Sequence, residues 1–435
     1  MIVNRQLVTR IFFGFLLTGA ANSSFSQKAK HVITQKEVER IEATLSDNNM
    51  EGRRTGTPGI ARAAEFIASE FKKAGLDDMP GVNGYQQTFT MLKTTQSKVT
   101  GEINGQPLDQ KNVVVFTSQK QVDVSNQSGY KTLILKQGDN LIRLAQKFIG
   151  GKENTVVIAD TSFTKAFTML PRLKRAIFKN ETNVVFILSP QTVSAFKITA
   201  TQEMEETKLA NVVGVLPGKS KKNEYVVFSG HYDHLGIGKV VDGDSIYNGA
   251  NDDASGTTAV ITLAKYYKAL GNNERTLIFA AFTAEETGGF GSQYFSKQLN
   301  PAEVVAMFNI EMIGTESKWN KASAYITGYE KTNMGTILEK NLDGTKFKFY
   351  PDPYTDQQLF YRSDNATLAR LGVPAHTIST SKMDVEPNYH KASDEIGTLD
   401  MENMTEIIKA IAKSATSIVN GKDAPSRVKV EELTR

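Results

Sequence analysis

Three short turns in this sequence carry more chemistry than packing requires. Gly230-His231-Tyr232-Asp233-His234 follows the run Tyr225-Val226-Val227-Phe228, whose β-branched and aromatic residues suit a buried strand. A histidine at the end of such a strand is aimed at the cleft beyond the sheet. Asn248-Gly249-Ala250-Asn251-Asp252-Asp253-Ala254-Ser255-Gly256 opens an amphipathic helix with Gly256, Ala259, Val260, Leu263, Ala264, Tyr267 and Leu270 on one stripe. Asp252 and Asp253 thus sit at a helix N-terminus. Capping asks for one small polar residue, whereas this turn has two adjacent carboxylates among residues small enough for close approach. Ala284-Glu285-Glu286-Thr287-Gly288 follows the strand-like run 276–282. Adjacent glutamates repel one another, and a cation relieves the repulsion. Imidazole and carboxylate gathered after successive strands read as a metal site.

The pattern continues in Phe308-Asn309-Ile310-Glu311-Met312-Ile313-Gly314, in Ser363-Asp364 and in Asn388-Tyr389-His390-Lys391-Ala392-Ser393-Asp394. In order and spacing these six motifs resemble the co-catalytic zinc aminopeptidases, the family that also holds bacterial leucyl aminopeptidase, glutamate carboxypeptidase II and the animal glutaminyl cyclases. The resemblance covers roughly Lys208 to Asp400, with a weaker match around Asn49-Met50-Glu51-Gly52-Arg53.

Residue by residue, the resemblance implies two zinc ions, with His231 and His390 as terminal ligands and Asp252 bridging. Glu286 completes one site and Glu311 the other. It further implies Glu285 as general base toward the water shared by the ions, and Asp233 as the group that orients the His231 ring. In relatives the peptide bond between the two aspartates is cis. The family has aspartate where this chain has Glu311, and the extra methylene makes that site the weaker one. Tyr389 is a candidate hydrogen-bond donor to the tetrahedral intermediate, or an ordinary core aromatic. Asp394 is read as a support for the site or a helix cap. His31 and His376 are structural, and His234 has no ligand role in the family pattern.

The activity so implied is hydrolysis of N-terminal residues from peptides. A single-zinc glutaminyl cyclase and a carboxypeptidase stand as alternatives on the same fold, and a binding protein without catalysis as an alternative outside it. The carboxypeptidase needs basic residues for the substrate carboxylates, which the sequence does not place.

Elements that position these motifs follow from the rest of the chain. At 435 residues it exceeds a usual single core, and its apolar and charged fractions of 40% and 23% are those of a globular protein. A net charge of +4 is a solvated surface rather than a nucleic-acid footprint. With no cysteine, zinc ligation falls to His, Asp and Glu, the donors of open catalytic sites. Residues 1–26 read as a secretory signal, with Arg5 and Arg10 before Ile11-Phe12-Phe13-Gly14-Phe15-Leu16-Leu17 and a Ser24-Phe25-Ser26 cleavage site. This predicts a periplasmic or extracellular bacterial protein, without stable membrane insertion once the signal is cleaved and with an oligomeric state the sequence leaves open. Residues 27–97 are read as the N-terminal part of a peptidase domain, 98–205 as an inserted protease-associated or lid-like domain, and 206–435 as the main zinc peptidase domain.

The expected fold is α/β, a three-layer sandwich around a mixed, mostly parallel sheet, with the smaller domain inserted. Helices are predicted over 38–45 and 59–75, the latter led in by the glycine-rich loop 52–59, a structural turn rather than a phosphate site because it lacks the P-loop lysine. The basic run 165–179 is read as one solvated helix face. The strand at 211–216 is expected to pair antiparallel with the strand ending at His231. Every motif then follows the carboxyl end of a strand, where open α/β sheets bind ligands.

Overall fold

The computed structural model describes residues 31–433; the segment read as a secretory signal lies outside the described residues. The described residues divide into two compact units, one formed by 31–88 and 210–433, the other by Phe89–Leu209. The boundaries fall within the strands Gln86–Ile103 and Phe196–Leu216. No turn therefore punctuates the passages near 98 and 205, where the sequence changes character.

The first unit is built on the strands β1 (Phe196–Leu216, with residues 210–216 in this unit), β2 (Lys221–His231), β3 (Arg275–Phe282), β4 (Val304–Ile310), β5 (Ser323–Ile326), β6 (Lys348–Pro351) and β7 (Ala375–Ser379). They lie in the order β6-β5-β7-β4-β2-β3-β1. The pairs β2·β3, β2·β4, β4·β7 and β5·β6 are parallel, while β1·β3 and β5·β7 are antiparallel. Strands β2, β3 and β4 are covered on both faces, which is why they read as unbroken apolar runs. Their register is marked by Phe228, which stands opposite Phe279 on one side and Phe308 on the other. The rings stack, with centroids 5.6 and 4.9 Å apart.

The antiparallel pairing expected between β1 and β2 does not occur: β3 lies between them, and β1 pairs with β3 in the register Val213↔Ala280. The turn after β1 is held to β3 instead of folding back on β1. Gly218 N–H donates to Thr276 Oγ1 at 2.9 Å, and a Cβ on Gly218 would stand 2.5 Å from the Glu274 carbonyl oxygen. A strand as apolar as β2 gains more from two parallel neighbours than from an edge hairpin.

Helices α1 (Gln35–Leu45), α2 (Pro58–Ala74), α3 (Ser255–Leu270) and α5 (Met401–Ser414) cover one face. Val38, Ile67, Val260, Leu263 and Ile411 meet the stacked phenylalanines there in one core. The other face buries Val227, Ile278 and Met307 beneath Phe295 of α4 (Phe290–Lys297) and Leu368. Helix α2 stops where the expected glycine cap lies: Gly75 adopts φ 75°, and its N–H donates to the carbonyls of Lys72 and Phe71.

The second unit contains a four-stranded sheet in the order Val113–Phe116, Val184–Leu188, Thr155–Ala159, Lys131–Ile134. The run 165–179 is not one solvated helix face, as expected, but a single helical turn (Thr164–Phe167), a 3-10 stretch (Leu170–Arg175) and a two-residue strand. Pro171 interrupts the helical ladder. Phe167 and Leu170 are buried, and the Lys174 ammonium lies 5.8 Å from the Phe116 ring centre. Among the described residues no helix is long and apolar enough to cross a membrane.

Candidate metal centre

The carboxyl ends of β2, β3 and β4, the turn that opens α3, the residues before the short helix Asn365–Ala369 and the loop after β7 deliver the motifs to one place. Three buried carboxylates stitch the turns together through backbone N–H groups. Asp253 accepts from His231, Gly256 and Met312 at 3.1, 3.0 and 3.1 Å, joining three of the motifs. Asp394 accepts from Asn251 and Asp252 at 2.8 and 3.0 Å. Asp233 accepts from Glu285 and Glu286 at 3.0 and 3.3 Å. Gly256 permits the close approach of α3 to β4, since a Cβ there would stand 2.1 Å from the Ile310 carbonyl oxygen. The Asp252–Asp253 peptide is cis.

Arg53 secures these turns from behind. Its side chain is fully buried, and it donates to the carbonyls of Tyr232 (2.8 Å), Leu45 (2.7 Å), Asn248 (2.5 Å) and Gly249 (2.8 Å). The loop 52–59 is thus a support for two of the motifs, with the guanidinium fork spanning groups that a single-point ammonium cannot.

Asp252 is central among the candidate ligands. Its Oδ1 lies 3.2 Å from His231 Nε2, and its Oδ2 lies 3.3 Å from His390 Nε2. His390 Nε2 is also 3.1 Å from Glu286 Oε2. One cavity is lined by Asp252, Glu285, Glu286, Glu311, Tyr389 and His390, with Arg362 at its side. Met312, Tyr325, Leu359 and Met383 give that cavity an apolar wall. Tyr389 stacks on the His390 ring at 3.9 Å.

The electrostatics are those of acids lacking a strong cation. Burial pushes the Asp233 and Glu311 carboxyls up to about 7 and Asp364 to about 6. Burial likewise raises Asp253 and Glu285. Asp252 and Glu286 go the other way: burial opposes ionisation, but the imidazoles against them hold both below the ordinary range. Their partner His390 is lifted to about 10 by its contacts with Asp252 and Glu286. Glu311 Oε2 is buried without a hydrogen-bond partner. Imidazole nitrogens set against a shared aspartate, with an unpaired carboxylate oxygen beside them, fit zinc or a similar divalent ion.

All five candidate ligands and Glu285 therefore meet. Asp233 stands differently from the expected arrangement. Its carboxylate lies 3.8 Å from His231 Nδ1, too far for a hydrogen bond, and its backbone carbonyl accepts that N–H at 3.1 Å instead. The carboxylate is engaged by the N–H groups of Glu285 and Glu286, which the tight turn at 284–286 directs toward it. His234, which the sequence left without a role, is buried with Nδ1 2.9 Å from Glu286 Oε1 and 3.9 Å from Asp252 Oδ2. Donor atoms of His234, Asp252 and Glu286 lie close enough to one another to hold an ion.

Residues 211–415 match the model of peptidase family M28. The aminopeptidase YwaD of Bacillus subtilis is 24% identical over 227 residues, 50% of this chain and 47% of that protein. Leucine aminopeptidase 1 of Trichophyton rubrum is 28% identical over 228 residues, 48% of this chain and 57% of that protein. The chain thus spans about half the length of the curated relatives it matches. The fold is similar to that of an aminopeptidase from Aneurinibacillus sp. strain AM-1 (TM-score 0.52, 18% identity, covering 94% of this chain and 98% of that one). It is also similar to BSAP, a zinc aminopeptidase from Bacillus subtilis (TM-score 0.53, 17% identity, covering 91% and 98%). With the motifs in order and this fold around them, residues 211–415 are those that match peptidase family M28, the family that the motifs resemble.

Proposed function

We propose that this chain is a secreted zinc-dependent exopeptidase, an aminopeptidase, with His231, Asp252, Glu286, Glu311 and His390 holding two zinc ions. The observation that carries the reading is the convergence of two imidazoles on the two oxygens of one buried aspartate, at 3.2 and 3.3 Å. Bound zinc supplies Lewis-acid polarisation of the scissile carbonyl and acidifies the attacking water. Glu285, which lines the same cavity as Asp252, Glu286 and His390, takes the proton of that water and returns it to the leaving amine. Asp233 fixes the turn that carries Glu285 and Glu286. The Tyr389 hydroxyl, at the cavity wall, donates to the developing oxyanion. Secretion rests on the leader-like residues 1–26, and we assign 98–205 as a protease-associated or lid-like insertion.

Arg362 favours a second reading. It is a cation on the wall of the cavity, placed to meet a substrate carboxylate, as a carboxypeptidase requires. A panel of aminoacyl, dipeptidyl and carboxyl-blocked substrates separates the two. Cleavage that needs a free α-amine and tolerates a blocked carboxyl supports the aminopeptidase; the reverse pattern overturns it.

A further inference from the structure

We propose that His234 is the positioning residue of Glu286: its Nδ1–H holds carboxylate Oε1, so that Glu286 presents Oε2, beside His390 and Asp252, to a metal ion. The inference rests on the zinc-site reading above and concerns which atoms of the chain meet the ion. Glu286 lies between two imidazoles and offers a different oxygen to each, Oε1 to His234 Nδ1 at 2.9 Å and Oε2 to His390 Nε2 at 3.1 Å. The first contact has the length and partners of a good hydrogen bond. The same His234 nitrogen is 3.9 Å from Asp252 Oδ2, beyond hydrogen-bond reach.

The far side of the ring decides between holding Glu286 and ligating the ion directly. A ligating histidine donates its other ring N–H to a fixed acceptor. His231 has one, for its Nδ1 faces the Asp233 carbonyl at 3.1 Å. His234 has none, since its Nε2 is buried without a partner. Were Nδ1 on the ion, Nε2 would carry an orphaned buried N–H, the kind of group folded proteins almost never leave unpaired. With the proton on Nδ1, the orphan is only an acceptor lone pair, a cheaper loss.

The ring is also held in place. A Cβ at Gly249 would stand 2.5 Å from His234 Cγ, so the bare glycine, at φ 58°, is the cradle in which the imidazole lies. The Gly249 carbonyl is in turn tied to Arg53 at 2.8 Å. With Oε1 occupied, Glu286 binds through one oxygen, and the ion keeps a position open, as catalytic zinc sites do.

The test uses the full chain, with zinc affinity read by competition against a chromophoric chelator and coordination read from the visible spectrum of the cobalt-loaded protein. His234→Ala should weaken one zinc equivalent by about 10- to 100-fold, the usual cost of losing the partner of a ligating group. His234→Asn, whose amide nitrogen takes the place of Nδ1, should recover most of that affinity with an unchanged cobalt spectrum. In a Glu286→Ala background, His234→Ala should have no further effect on affinity. An unchanged affinity in His234→Ala, an additive loss in the double variant, or an Asn variant as weak as Ala overturns the proposal. Wild-type protein that takes up no zinc is a different failure, that of the site reading itself.

Discussion

Two clusters of acidic side chains in the first unit are treated in opposite ways. Between α1, α2 and α3, Glu70 is buried, yet it receives Arg40 at 2.7 Å, Lys73 at 2.8 Å and also Lys265. Glu37 pairs with Arg40 at 2.8 Å and Lys265 at 2.6 Å. Burial alone would raise Glu70, but its three cations hold it at about 2, and Arg40 first of all holds Glu37 there too. At the metal centre the ion pairs of Asp252 and Glu286 run to imidazoles, and Asp233, Glu311 and Asp364 are left with raised carboxyls. One cluster carries its cations in the sequence. The other sets its acids against imidazoles instead, which fits the proposed metal site rather than a structural ion network.

The largest effect that can break this contrast is catalytic. Glu285→Gln removes a base and no ligand, so turnover should fall by about 10² to 10⁴ while zinc content, measured by atomic emission, stays at the wild-type level. An active variant removes Glu285 from the mechanism; an inactive one that has lost zinc makes it a ligand.

Arg53→Lys tests the support behind the site. A lysine cannot serve the four carbonyls that the guanidinium spans, and buried hydrogen bonds from a charged donor are worth about 1.5–3 kcal/mol each. Chemical denaturation should show a loss of about 2–4 kcal/mol, with weaker zinc binding because the 232 and 248–249 turns lose their anchor. Unchanged stability would mean that the carbonyls are equally well served by water.

The smallest effect belongs to the structural network and concerns pH. Glu37 and Glu70 have folded-state values near 2, below the usual carboxylate range of about 4.3. Folding therefore releases their protons, and the stability they lend is full above that range and is lost as pH falls from about 4.5 toward 2. Glu70→Gln should flatten the acid limb of the stability profile by about 1–2 kcal/mol, the solvent-exposed partners screening the rest. A profile parallel to wild type would show that the network is solvated in solution.

These two clusters also mark what the sequence could show. His231, Glu286, Glu311 and His390 were legible because each comes after an apolar strand of the main sheet, and Asp252 because two adjacent carboxylates among small residues open an amphipathic helix. The caps and stripe of α2 were legible for the same local reason. Arg53 was seen only as part of a glycine-rich turn, because its partners are carbonyls, which every residue has, and three of them lie 179 to 196 positions away. His234 was passed over because its meaning depends on which oxygen of Glu286 it faces. The expected β1–β2 pairing fails because a short turn, read over 217–223, suggests an antiparallel pair, and nothing local reveals that β3 enters between them.

The central claim, that the acid cluster at the ends of β2, β3 and β4 is built around two external cations, is tested most directly by calorimetric titration of zinc into chelator-treated protein, for wild type and Glu311→Ala side by side. The account predicts two equivalents in wild type, the second weaker because the longer Glu311 carboxylate is harder to preorganise, and one equivalent in the variant. Equal stoichiometry in the two proteins, or no zinc uptake by wild type, would contradict it.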